Sequence, residues 1–122
     1  MYVRFTELPV IDQDRAVEFY TGKLGFRVAQ DSPYQDGWRW ITLEIPGAQT
    51  SILLTRKMDD KDTGAPSLVL TVDDVTSSYQ ELESKGVVFT TEPTQASWNP
   101  DELYAVLRDS EGNLVMIGSE SK

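Results

Sequence analysis

Two tryptophans two residues apart, Trp38 and Trp40, are the side chains in this sequence best suited to holding a small molecule. On an extended segment they fall on one face. There, indole rings stack on a planar ligand or hold a cation over their π systems. They serve equally well to fill the space between packed modules, or a dimer seam. Glu7 and Glu44 add carboxylates that could anchor an amine, or simply face water as most strand glutamates do. Trp98 stands in the polar stretch Ala96-Ser-Trp-Asn-Pro100, where a large aromatic acts either as a lid over a site or as an anchor for the loop. Tyr104 and Arg108 belong to the last hairpin, and Arg108 beside Asp109 reads as a local ion pair rather than an anion receptor.

The residue types that are missing narrow the chemistry further. The 122 residues contain no histidine, which excludes Ser-His-Asp and Cys-His catalysis and removes the commonest zinc and iron ligand. A net charge of −9 argues against nucleic acid, whose phosphates would be repelled. With 39% hydrophobic residues and mixed charge, the composition is that of a folded globular chain. No apolar run approaches the roughly 20 residues of a membrane span. Glu7 and Asp12 interrupt the layout of a signal peptide over residues 1–20, so the expected location is the cytoplasm, and the absence of cysteine agrees with it.

The elements that must position these side chains come in two similar sets. Asp12 is placed to cap a helix over 12–22, with Ala16, Val17, Phe19, Tyr20 and Leu24 at helical spacing. Gly22 and Gly25 offer the positive φ of a helix exit, and an alternating strand follows from Phe26 to Gln30. The same order returns at Val72–Gly86, with Asp74 as the cap of a helix over 74–85. Strands are expected at 2–10, 38–45, 50–54, 68–72, 87–90, 103–107 and 114–117. Loops are expected at 31–37 and 91–100, and turns at Pro46-Gly47 and at 108–113, where Gly112 and Asn113 can take positive φ. Residues 57–66, including the acidic run Met58–Asp62, read as a solvated linker. The order is β-α-β-β-β twice, an α+β chain with module one at about 1–56 and module two at about 67–122. The apolar set Leu8, Val10, Ile41, Leu43, Leu70, Val72, Val115 and Ile117 would lie under the helices. The opposite sheet faces would curve around a central cleft.

The motifs Val-x-Asp…Ala-x-x-Phe-Tyr…Leu-Gly-Phe (residues 10–26) and Arg-Asp-Ser-Glu-Gly-Asn-Leu (108–114) resemble the vicinal oxygen chelate superfamily of glyoxalase I, extradiol dioxygenases and bleomycin-resistance proteins. The resemblance implies a single domain of two βαβββ modules, helices outside. It also implies a divalent metal held from positions that here are Phe5, Ser67 and Met116. The strand at 50–55, a further source of ligands, holds only Ser, Ile, Leu and Thr. Phenylalanine and methionine do not hold a hard divalent cation, so no metal and no cofactor are expected. The character is closest to the metal-free bleomycin-resistance branch, which implies a homodimer.

The expected ligand wall is Phe5, Trp38, Trp40, Val69 and Met116, with Glu7, Glu44, Trp98 and Tyr104 around it. The expected function is binding of a planar or hydrophobic, possibly cationic, small molecule, with no nucleic acid or membrane partner. Two alternatives stay open: a metal-independent isomerase or lyase using Glu7 or Glu44 as general base, and a module that binds another protein through its sheet.

Overall fold

The computed structural model describes residues 1–58 and 64–119. It divides into two compact units, Met1–Asp60 and Lys61–Lys122. The first unit runs β1 (Phe5–Val10), α1 (Gln13–Gly22), β2 (Arg27–Gln35), β3 (Trp38–Glu44) and β4 (Ser51–Arg56). The second runs β5 (Leu68–Thr71), α2 (Val75–Ser84), β6 (Val88–Gln95), β7 (Leu103–Arg108) and β8 (Leu114–Gly118). Each unit is thus a βαβββ module, as the sequence predicts. The sheet orders are β1-β4-β3-β2 and β5-β8-β7-β6, with one parallel pair in each, β1 with β4 and β5 with β8.

Both helices start where an aspartate accepts a backbone N–H. Asp12 takes that of Arg15 and Asp74 that of Ser77, each at 3.1 Å, and a cap of this kind contributes about 1 kcal/mol. Helix α1 leaves through Gly25 at φ 76°, with Phe26 N–H returning to the Tyr20 carbonyl at 3.0 Å. Tyr20, fully buried, stacks on Phe26 at 5.5 Å. Leu8, Val10, Ile41, Leu43, Ile52 and Leu54 make up the apolar face of the first sheet, and Leu68, Leu107, Val115 and Ile117 that of the second. Each such side chain, fully buried, contributes about 1.5–3 kcal/mol. Of the expected covered set, Leu70 and Val72 are only half-buried.

Several boundaries differ from the sequence expectation. The predicted loop at 31–37 is mostly strand: β2 continues to Gln35 through two register irregularities, and only Asp36-Gly37 turns, with Gly37 at φ 72°. Likewise β6 runs to Gln95, shortening the predicted loop at 91–100. Both are edge strands, where Pro33 and Pro93 break no ladder on their outer side and bulges are tolerated. Strand β1 begins at Phe5 rather than Tyr2, and β4 extends two residues past Leu54. Neither Gly22 nor Asn113 takes positive φ; Gly25 and Gly112 do. The predicted linker lies partly outside the described residues, and its acidic stretch Asp59–Asp62 wholly so.

The Asp109 carboxylate organises the β7–β8 turn. It accepts the N–H groups of Glu111 and Asn113, both at 2.8 Å, and the Asn113 amide at 3.1 Å. Arg108 donates to the Gly112 carbonyl at 3.1 Å across the same turn.

Candidate functional site

Strand β3 carries Trp38 and Trp40 on the face away from α1, because Ile41 and Leu43 take the buried face. Phe5 from β1 meets Trp40 edge-on at 6.1 Å, and Tyr34 from β2 does the same from the other side at 5.3 Å. The Trp40 indole N–H donates to Gln30 at 3.0 Å, which fixes the ring. Beside these rings lies a hollow of about 290 Å³ lined by Glu7, Tyr34, Trp38, Trp40, Leu53, Thr55 and Arg56 among others.

The hollow exists because β3 and β4 part company. They pair only at Thr42–Leu53 and Leu43–Ile52, then splay toward Trp38 and Arg56. Strand β4 stays with β1 along this stretch, pairing to Val10–Arg56, and the Lys57 N–H reaches the Val10 carbonyl at 2.9 Å. On β3, the backbone of Arg39 finds a side-chain partner instead. The Gln13 carboxamide accepts the Arg39 N–H at 3.1 Å and donates to the Arg39 carbonyl at 2.7 Å. Gln13, the first residue of α1, is buried for this purpose.

Charges around β3 are mostly spent. The Arg39 guanidinium bridges Asp14 at 2.7 Å and Asp31 at 3.1 Å. The hydrogen bond from Arg39 holds the Asp14 carboxyl below the usual aspartate value and, in return, raises Arg39. Glu44 lies at the far end of β3, paired with Arg27 at 3.3 Å, and does not line the hollow. Glu7 does line it and makes no ion pair among the described residues. The Arg56 guanidinium lies over the Trp38 ring, 4.8 Å from its centre.

The second unit brings together the other predicted residues. Val69, Tyr104 and Met116 share a hollow of about 230 Å³ with Trp98, Glu102, Leu103 and Ser119. Val69 and Met116 are register partners on adjacent strands. The Trp98 ring lies 5.2 Å from that of Tyr104, and its indole N–H donates to Glu102 at 2.7 Å. Both anchor Trp98 to its own unit, although its surface stays 60% exposed.

The sequence reading missed Tyr34, Arg56, Gln13 and Glu102. Tyr34 falls in a stretch whose turn residues predict a loop, and Arg56 lies just past the predicted end of its strand. For Gln13, a polar residue right after an N-cap carries no signal of burial.

The side chains at the metal positions implied by the resemblance do not fit a divalent cation. Phe5 presents a ring edge to Trp40, Met116 offers a thioether, and Ser67 a lone hydroxyl. Among the described residues, no three or more His, Cys, Asp or Glu side chains gather closely enough to hold a metal. Nor, among them, is any helix long and apolar enough to cross a membrane.

Known proteins share this architecture. The profile of the Glyoxalase/Bleomycin resistance protein/Dioxygenase superfamily matches residues 3–117. The uncharacterized protein YurT of Bacillus subtilis (strain 168) is 39% identical over 128 residues, covering 96% of this chain and 98% of its own. A superfamily member from Sphaerobacter thermophilus DSM 20745 superposes with a TM-score of 0.84 at 29% identity, covering 98% of both chains. TnmS3, an antibiotic binding protein from Streptomyces sp. CB03234, does so with a TM-score of 0.82 at 29% identity, over 99% of this chain and 97% of its own. The duplicated βαβββ order and a profile match over nearly the whole chain make this protein a member of the Glyoxalase/Bleomycin resistance protein/Dioxygenase superfamily.

Proposed function

We propose that this protein binds a planar aromatic small molecule against the Trp38–Trp40 wall of its first unit, without metal and without altering it. The observation that carries the reading is the set of rings around Trp40. Phe5 and Tyr34 brace it edge-on from two sides, and the braced ring borders an open hollow. Rings held this way need little further ordering when a ligand stacks on them. Metal-free binding is supported by the side chains at Phe5, Ser67 and Met116. The printed description of TnmS3 as an antibiotic binding protein supports small-molecule binding on this scaffold. The alternative of a metal-independent enzyme loses one of its two candidate bases, because Glu44 is engaged with Arg27.

Calorimetric titration with neutral 2-naphthamide tests the proposal, together with the indole N–H resonances of the three tryptophans. Saturable binding that shifts Trp38 and Trp40 is expected, with the probe recovered intact by mass spectrometry. Trp40→Ala should weaken binding about tenfold or more. Absence of saturation, an unchanged affinity in Trp40→Ala, or a chemically altered probe would each overturn the reading.

We further propose a cytoplasmic homodimer. Val69, Trp98 and Val88 of the second unit are each at least 60% exposed, an apolar load that a second chain would cover. Sedimentation equilibrium at micromolar concentration should return twice the mass of the chain. A single-chain mass would refute the dimer.

A further inference from the structure

We infer that the hollow of the first unit selects an aromatic carboxylic acid, whose carboxylate is taken by Arg56 while its ring lies against Trp40. The inference rests on the aromatic-ligand reading above and names its polarity. Arg4 and Arg56 both lie over aromatic rings, those of Phe5 and Trp38, and of the two it is Arg56 that lines the hollow. Acidic residues number 20 against 11 basic ones, yet among the described residues Arg56 makes no ion pair. Its neighbour Arg39 is fully engaged by Asp14 and Asp31. What holds Arg56 is the face of Trp38, at 4.8 Å. A guanidinium is planar and carries its N–H groups along its edge, and attraction to an indole at this distance pairs none of them with a carboxylate. That edge is the fork to which a carboxylate binds with two parallel hydrogen bonds.

The backbone explains why Arg56 is available. In the second unit, the residue equivalent to Arg39 is Leu103, and the residue equivalent to Arg56 is Ser119. Leu103 N–H donates to the Ser119 hydroxyl and Ser119 N–H to the Leu103 carbonyl, both at 3.1 Å. In the first unit, Gln13 occupies both backbone groups of Arg39, so Arg56 is not tied to β3. The hollow therefore opens between the Arg56 end of β4 and the tryptophans. Glu7 stands opposite Leu53 on β1, three residues back along the ladder from Arg56, or about 10 Å at the rise of a strand. The two charges orient the ligand, with its acid toward Arg56 and any hydrogen-bond donor toward Glu7.

A matched pair of probes tests the polarity: 2-naphthoate and the neutral 2-naphthamide, titrated calorimetrically into the wild type, Arg56→Gln and Arg56→Lys. In the wild type, the acid should bind about tenfold tighter than the amide, the scale of one charge-assisted hydrogen-bonded contact. Arg56→Gln should erase that preference, so that acid and amide bind within about twofold of each other. Arg56→Lys, which keeps the charge but loses the fork, should retain only part of it. Thermal unfolding would confirm that each variant is folded. Equal affinity for acid and amide in the wild type overturns the acid selection and leaves aromatic binding standing. A preference that survives in Arg56→Gln overturns the role of Arg56. If neither probe binds, both this inference and the reading beneath it fail.

Discussion

The two units use the same parts to different ends. In the second, β7 pairs with β8 at five positions, and Ser119 carries the pairing one residue further to Leu103. In the first, β3 pairs with β4 at only two positions before the strands separate. The residues that open the two helices also differ: Gln13 in α1 and Val75 in α2, both buried. Gln13 reaches a backbone that has left its neighbouring strand, whereas Val75 adds to the apolar layer beneath a sheet that stays closed. The aromatic pairs are related too. Trp40 and Tyr104 occupy equivalent places, one residue past Arg39 and Leu103, and each meets a second ring: Tyr34 on β2 at 5.3 Å, and Trp98 in the loop beyond β6 at 5.2 Å. Each unit thus holds an aromatic pair, and in the first unit the strands beside it part where a carboxamide stands in place of a valine.

Exchanging the two helix openers should produce the largest effects. Gln13→Val strips the Arg39 backbone of both partners, and a loss of about 2–4 kcal/mol is expected in urea unfolding. It should also weaken 2-naphthamide binding, since the segment carrying both tryptophans loses its clasp. A loss below about 0.5 kcal/mol would mean that β3 closes onto β4 unaided, and would break the comparison. The reverse change, Val75→Gln, buries a carboxamide opposite a backbone already satisfied by Ser119. It should cost about 1–3 kcal/mol without opening β7 from β8. Amide exchange at Leu103 as slow as in wild type would confirm the second half.

Smaller effects follow from pH, with opposite signs in the two units. Asp14 is held below the usual 3.8 chiefly by its hydrogen bond from Arg39. The stability this bond contributes is fully present above 3.8 and is lost as pH falls through the lowered folded value. The stability difference between wild type and Arg39→Gln should therefore be flat near neutrality and shrink in acid. In the second unit, the hydrogen bond to Glu83 pushes the Tyr79 hydroxyl up to about 12. Its contribution is present below 10 and is lost as pH rises from 10 toward 12. Absorbance at the tyrosinate band should show a late-ionising component from Tyr79, and Glu83→Gln should move that component down toward 10.

What the sequence disclosed follows from how each signal arises. Caps such as Asp12 and Asp74 act over three residues, and period-two alternation on Ile41 and Leu43 records a buried face directly, so helices, strands and their order were legible. Strand ends were not, because β2 and β6 are edges. There the pairing partner, rather than local propensity, decides how far Pro33 and Pro93 are drawn into the ladder. Trp38, Trp40 and Phe5 could be grouped by parity alone. The engagement of Glu44 by Arg27 and the placing of Arg56 over Trp38 depend on cross-strand register, which a single sequence does not state.

The clasp on Arg39 also has a kinetic consequence. Strand pairs separate only when several hydrogen bonds yield together, but a carboxamide lets go by turning about its own side-chain bonds. The Ser119 N–H, held by the Leu103 carbonyl, is exposed to exchange only when the continuation of β8 peels away from β7. Arg39 is exposed whenever Gln13 rotates, with every strand still in place. Amide exchange at Arg39 is therefore expected to follow the turning of one side chain, while exchange at Ser119 keeps the slower time of strand separation.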